Sequence, residues 1–406
     1  MDFTMFPLYK VNFMKKVMPI LYIIALIGLM LGLLVYENPQ EEALDNQFEV
    51  KAIVLETDES EVIQSGISKI GYQSLLVEVI EGKFKGQQIR AVNQLLGKLD
   101  FDNFYMPKDK IIVAILEENS EIIDAKAIDI YRQNWQLALF GVFVLCLIIY
   151  AGFTGIRALF SFVASLLIIW KVLIPGLLAG KEPLILTATV LTLLSAIIIF
   201  SVAGFTKKGF SAFAGTMCGL FITIGITIFF GGRLKLYGMT SPFAESLLFS
   251  GHLGLNMKHI FYAAIIIGAS GAAMDIAMDV AASMEEIKIK RPDIGCRELI
   301  NSGFNIGKAV IGTMTTTLLL AYSGGYLTLL MLFMTKDVSF ARIINLKIVS
   351  AEIMRTVVGS IGLVLVAPMT AIFSGWILST DYKGKFNTVS INENNSKKIA
   401  VDISKK

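Results

Sequence analysis

Apolar positions along the chain are gathered into long runs. One spans 17–35, and seven more lie near 134–152, 155–178, 184–204, 210–231, 259–282, 305–323 and 352–377. Each approaches the ~20 residues that carry a helix across a bilayer, so the pattern predicts eight membrane spans. The stretch 326–334 is equally apolar but only about 10 residues long, and reads as a re-entrant segment or half-helix. Between the first two runs the pattern changes. Residues 37–133 are polar overall and contain Phe48-Glu-Val-Lys-Ala-Ile-Val-Leu-Glu, Ser74-Leu-Leu-Val-Glu-Val-Ile and Lys110-Ile-Ile-Val-Ala-Ile-Leu. These are alternating or short β-branched runs bounded by Gly, Asp, Asn and Pro, the pattern of strands. They predict a small barrel of about 80 residues, OB-like as the first expectation.

The chain thus divides into an N-terminal tail with the first transmembrane helix (1–36), an extracytoplasmic β-rich domain (37–133), a multi-span transmembrane domain (134–378) and a cytoplasmic tail (379–406). Orientation follows from the basic residues. Lys10, Lys15 and Lys16 precede the first run; Lys207, Lys208 and Glu285-Glu-Ile-Lys-Ile-Lys-Arg-Pro mark inner loops; the tail is Lys-rich from Lys397. The first run is longer than a signal-peptide core and no small-residue cleavage site follows, so it reads as an uncleaved helix. Tyr131 and Trp135 suit the interfacial aromatic belt. The fold class expected is an α-helical polytopic membrane protein carrying a small extracytoplasmic β-barrel-like domain.

Composition agrees. At 55% hydrophobic and 17% charged over 406 residues, with a mean hydropathy of +0.67, the chain is neither an ordinary soluble globule nor disordered. A net charge of +3 implies no nucleic-acid partner. Cys146, Cys218 and Cys296 give neither a disulfide framework nor a CxxC spacing. His252 and His259 stand apart with no third ligand, so no metal site is expected, and no cofactor motif is visible. No repeat of 20–50 residues marks a solenoid, and no inverted duplication is evident. The partner implied is the lipid bilayer.

An ionisable residue at the centre of a membrane helix costs at least about 2.5 kcal/mol and needs a reason. Asp275 and Asp279 are four apart and therefore share a helix face. Gly268, Gly271, Ala272 and Ala282 lie on or near that face, with Ser283 one turn below Asp279. Small residues let helices approach closely, so the reading is a helix seam (Gly268, Gly271, Ala272) holding two proton-coupling carboxylates, whose desolvation and mutual repulsion favour proton uptake. The plainer alternative makes Asp279 a headgroup-level cap and Asp275 a hydrogen-bonding residue. The next apolar run offers Thr313, Thr315, Thr316 and Thr317 as supporting hydroxyls, although threonines also bond back to their own helix. Lys308 reads as snorkelling to the surface. In the last run Asn345, Glu352 and Arg355 form a polar entry, with Glu352 and Arg355 placed to pair with each other or to face the aspartates.

These marks carry two resemblances. Gly82-Lys-Phe-Lys-Gly, Gly268-Ala-Ser-Gly-Ala-Ala-Met-Asp-Ile-Ala-Met-Asp, Gly312-Thr-Met-Thr-Thr-Thr and Glu352-Ile-Met-Arg, within a plan of one helix, an outer β-rich domain and a multi-span block, resemble the YibE/F family of bacterial membrane proteins over nearly the full chain. That resemblance implies a cytoplasmic (cell) membrane location but no settled activity. Locally, 268–317 resembles the core of resistance–nodulation–division permeases and of SecD/SecF, in which a G-x-x-x-D helix is followed by a charged cytoplasmic helix and a Thr-rich helix. There the intervening Ser283-Met-Glu-Glu-Ile…Arg297-Glu-Leu-Ile-Asn-Ser-Gly matches the cytoplasmic helix, and the resemblance implies proton coupling by Asp275. The chain departs from that plan in its extra spans, its small outer domain and its single half, which would call for a homo-oligomer or a partner membrane protein.

Three function classes follow. The first is a proton-linked transporter or export accessory. The second is a non-transporting scaffold or sensor whose outer domain binds a partner. An intramembrane enzyme is disfavoured, because both aspartates share one helix and no HExxH is present.

Overall fold

The computed structural model describes residues 28, 32, 47–118, 121–335 and 339–380. The expected first span, 17–35, lies outside the described residues apart from 28 and 32, and so does 381–406. The chain forms two compact units, Glu37–Gly152 and Met1–Tyr36 with Phe153–Lys406.

The first unit holds five strands, β1 (Gln47–Ser65), β2 (Ser68–Val79), β3 (Gln88–Leu96), β4 (Lys110–Glu118) and β5 (Glu121–Ile130), closed in the order β1-β2-β3-β5-β4. Five closed strands match the OB-type barrel expected from the sequence. Alternate residues of β2 and β3 are buried, Leu95 among them, and Leu75, Val77, Val79 and Ala91 pack with Val50, Ile111, Val113 and Ile115. The parallel pair is β3 with β5, through Val92 and Lys126, and the other pairs are antiparallel. Hence β1, β3 and β5 run one way and end on one rim of the barrel.

β1 is long, 19 residues, and its register shifts between Val54 and Glu56 and between Asp58 and Glu61 let it turn with the barrel wall. Opposite the second shift, Gly71 adopts φ +117°, and a Cβ there would lie 2.1 Å from the Glu61 carbonyl oxygen. Two buried amides pin the loop after β3. Gln73 Nε2 donates to the Tyr105 carbonyl at 2.8 Å, and Asn93 Nδ2 donates to the Asn103 carbonyl at 2.7 Å. Such satisfied buried polar groups specify a single loop path.

Ten helices follow among the described residues. α1 (Gln133–Ile168), a π-helical turn (Ile169–Leu173) and α2 (Ile174–Leu178) form one run. Then come α3 (Pro183–Ala203), α4 (Lys207–Arg233), α5 (Ala244–Phe249), α6 (Met257–Lys290), α7 (Cys296–Gly325), α8 (Leu327–Met334), α9 (Phe340–Asn345) and α10 (Lys347–Ser379). Six are long and apolar enough to cross a membrane: Gln133–Leu178, α3, α4, α6, α7 and α10. Of the eight expected spans, the first lies outside the described residues, and 134–152 and 155–178 follow one another as two helices meeting at a kink within a run of 46 residues. The kink is at Gly152, whose φ 54° and ψ −128° are not helical.

The expected short apolar segment at 326–334 is the eight-residue α8. The separate charged helix implied over 283–303 is not formed. Its residues are the last turns of α6 and the first turns of α7, joined by residues 291–295.

α6 is the most enclosed of the six, with 61% of its apolar window buried, and it packs against α3, α4, α7 and α10. Ile276, Ala277, Val280, Ala281 and Met284 meet Leu363, Val366, Ala367 and Ala371 in the main core. α4 crosses α10 at backbone distance. A methyl group at Gly215 would overlap Thr370, one at Gly219 would overlap Val366, and one at Gly362 would overlap Thr223. Small residues of this kind give membrane helices their close packing where lipid supplies no hydrophobic drive.

Candidate functional site

α6 starts with an Asn256 side chain accepting from the His259 amide at 3.1 Å. Its four neighbours take most of its circumference: Ile265, Ile266, Ala269, Ala273, Ile276, Ala277, Val280 and Ala281 are buried. The positions left over are Gly268, Gly271, Asp275 and Asp279, all exposed, with Ala272, Ala282 and Ser283 half-buried beside them. Spaced by three and four, they form one continuous stripe. Asp275 and Asp279 are separated by about 6 Å of helix rise. Neither makes a hydrogen bond or an ion pair among the described residues.

The glycines expected to close a seam around the aspartates do so only at the edge. At Gly268 a Cβ would meet the Tyr322 hydroxyl at 3.0 Å, whereas at Gly271 nothing lies within 4 Å. Among the described residues the seam is therefore closed at Gly268 and open at Gly271. The core-facing sides of α6 are already filled by larger side chains, and the small-residue stripe is the side its neighbours within the chain leave open. Ala272 turns from it toward the core.

α7 runs antiparallel beside it. Gly303 of α7 meets Met284, and Tyr322 meets Gly268, so the stretch between these contacts, including Gly312 to Thr317, flanks the level of Asp275. Thr313, Thr316 and Thr317 are exposed and Thr315 is half-buried. Thr313 Oγ1 donates to the Val310 carbonyl at 3.0 Å and Thr317 Oγ1 to that of Thr313 at 3.1 Å, the ordinary use of threonine in a membrane helix. Thr315 Oγ1 is buried without a hydrogen-bond partner among the described residues. Thr316 makes no hydrogen bond among them. Asn301, Asn305, Lys308 and Gly312 continue an exposed polar stripe down α7. The two asparagines were not singled out from the sequence, although their spacing from Lys308 and Gly312 carries the signal.

Glu352 and Arg355 pair with each other, with Arg355 Nη1 3.2 Å from Glu352 Oε1 and both side chains below one-fifth exposed. Arg355 Nη1 also donates to the Tyr326 hydroxyl, and its guanidinium carbon lies 5.8 Å from the Phe261 ring centre. Neither residue forms an ion pair with an aspartate of the stripe. Tyr326 and Phe261 completed this cluster without a sequence signal beyond aromatic character. Asn345 Nδ2 donates to the Ala341 carbonyl of its own helix at 2.7 Å.

The histidines are engaged separately. His259 Nδ1 lies 2.7 Å from Glu182 Oε1, and His252 Nδ1 lies 3.3 Å from the Ser250 carbonyl. No group of three His, Cys, Asp or Glu able to hold a metal occurs among the described residues. Cys146, Cys218 and Cys296 are free thiols.

A family model described as YibE/F-like protein matches residues 139–380, and one described as YibE/F family N-terminal domain matches residues 46–130. The chain belongs to the YibE/F family. No curated protein and no solved structure matches it. The two YibE/F matches divide where β5 ends, at Ile130, so the family's N-terminal model corresponds to the barrel and its second model to the helices. The α6 stripe, the α7 threonines and the Glu352–Arg355 pair all fall inside the YibE/F-like match. The chain is a multi-pass membrane protein.

Proposed function

We propose that the protein is a proton-linked transporter or export accessory of the bacterial cytoplasmic membrane, in which Asp275 is the titrating carboxylate and Asp279 its neighbour. What supports this reading most is the open stripe itself: two carboxylates one turn apart, on the most enclosed span, with no cation or hydrogen-bond donor among the described residues committed to either. An ionised carboxylate facing hydrocarbon costs at least about 2.5 kcal/mol. Such a group is charged when wetted and takes a proton when dried, which is the cycle a proton-coupled conformational change needs. The exposed hydroxyls of Thr313, Thr316 and Thr317 add a polar wall on which water or a solute can be held. The Glu352–Arg355–Tyr326 cluster is already self-satisfied and serves as a clamp between α10 and the end of α7. Both carboxylates project from one helix, which favours a non-enzymatic role. An open polar stripe at this depth also suits a second copy or a partner membrane protein.

The test is charge movement after a pH step, recorded from proteoliposomes adsorbed on a solid-supported membrane. The wild-type chain gives a transient current that Asp275→Asn, folded by its thermal melt, lacks. Equal currents from the two sink the proposal. A second reading, a scaffold or sensor, is favoured by the barrel's being a compact unit with its own core; on that reading Asp275→Asn leaves the phenotype of the chain intact.

A further inference from the structure

The two rims of the barrel differ in chemistry. On the rim where β2 turns into β3, Glu81, Lys83 and Lys85 are exposed. The opposite rim, where β1, β3 and β5 end, carries a cluster of exposed apolar side chains among its charged ones. Ile63 pairs across the ladder with Ile70, and Ile70 with Leu96, so three apolar side chains lie in a row across three strands on the outer face. At the hairpin tip Ile67 is 84% exposed, and in the loop after β3 Leu99 is 64% exposed, with Phe101 beside it at 53%. Nothing in the barrel's own core requires these residues to be apolar.

The position of this rim is fixed by the chain. β5 ends at Ile130, and α1 begins at Gln133. The loop bearing Leu99 and Phe101 is tied to that junction: Asn103 Nδ2 donates to Asp129 Oδ1 at 2.9 Å, Arg132 Nη1 lies 2.6 Å from the same oxygen, and Arg132 Nη2 donates to Asn103 Oδ1 at 3.2 Å. The first turns of α1 are Trp135, Leu137, Leu139 and Phe140, all exposed, which is where hydrocarbon begins. The chain enters β1 on the other rim.

We propose that this rim is a lipid-binding surface that seats the barrel on the bilayer, with Ile67, Leu99 and Phe101 entering the interfacial layer. Lys69 Nζ over the Phe104 ring at 3.1 Å and Lys98 Nζ 5.9 Å from the Phe101 ring centre supply the mixture of aromatic and long basic side chains suited to that layer. Asp100 and Asp102 lie in the same loop, so attachment comes from apolar insertion and not from attraction to anionic headgroups. The tether through α1 holds the surface at high local concentration, so few inserted side chains suffice.

The experiment uses the full chain with Cys146, Cys218 and Cys296 replaced by Ser, carrying either Ile67→Cys or Lys85→Cys labelled with an environment-sensitive fluorophore. Both positions are exposed on loops, so neither substitution touches the core. The protein is placed in phosphatidylcholine vesicles with and without headgroup-nitroxide lipid, and again with phosphatidylglycerol added. The Ile67 label emits to the blue and is quenched severalfold more than the Lys85 label, with no change on adding phosphatidylglycerol. An Ile67 label as water-exposed as the Lys85 label overturns the proposal. So does a blue-shifted Ile67 label that nitroxide lipid does not quench, which is the signature of a protein contact.

Discussion

Lys288 Nζ donates to the Ile294 carbonyl at 2.8 Å and, across the same turn, to that of Pro292 at 3.0 Å. The lysine is buried, 5% exposed, on the last turns of α6, and its bonds shape residues 291–295 into the connection to α7. A buried ammonium is tolerated only with such partners. Lys288→Met leaves the loop carbonyls unpaired and should cost about 1–3 kcal/mol, read as a lower melting temperature in detergent. The neighbouring Arg291–Glu298 pair is exposed, at 2.9 Å, and Arg291→Ala should cost about 1 kcal/mol or less. Equal losses from the two would show that the Lys288 bonds do not set the turn.

The α4–α10 crossing predicts a second outcome. Gly219→Val places a branched side chain where a single Cβ would already lie 2.1 Å from Val366 Cγ2. Overpacking of this kind costs about 1–3 kcal/mol or more. Gly225→Ala in the same helix meets nothing within 4 Å and should melt as the wild type does. Melting of both variants in one detergent checks the contrast.

Much of this architecture was legible in the residues. The strands around Val50, Val77 and Val113 alternate strongly enough to be read directly. β3 and β5 were harder, because Ala91 and Asn93 in β3 and Ala125 in β5 are among the residues they bury, and these types carry little strand signal. The apolar runs marked the membrane helices, including the gap after residue 152 where the backbone breaks at Gly152. α7 starts at Cys296, earlier than the apolar run, because its first turns are amphipathic and apolar only toward Leu299 and Gly303. Sequence spacing put Asp275 and Asp279 on one face. It gave no information on which neighbours would cover that face, because that depends on how four helices divide the circumference of α6.

Tyr105 gives a pH prediction. Burial, and then the charge of Asp129, pushes its hydroxyl up to about 12. The folded barrel therefore favours the protonated phenol. Its contribution, about 2–3 kcal/mol for a gap of roughly two pH units, is complete below pH ~10 and is lost as the pH rises from 10 through 12. Calorimetric melting of the full chain should show the barrel transition falling over that window, and Tyr105→Phe should flatten the slope.

Asp275 separates a stabilising residue from one kept for another reason. With no partner among the described residues, Asp275→Leu removes a carboxylate that costs at least about 2.5 kcal/mol in hydrocarbon. The variant should melt at a higher temperature than the wild type while losing the pH-driven current. A lower melting temperature would mean that the carboxylate has a structural partner, and would remove the reason for giving it a transport role.

The break at Gly152 bears on mechanics. An unbroken helix through this point would behave as one stiff rod on both sides of residue 152. With the helical bond pattern interrupted at one residue of positive φ, rotation on one side is absorbed there as a change of two backbone angles. Gly152 is therefore a joint in this helical run and not a stiff element.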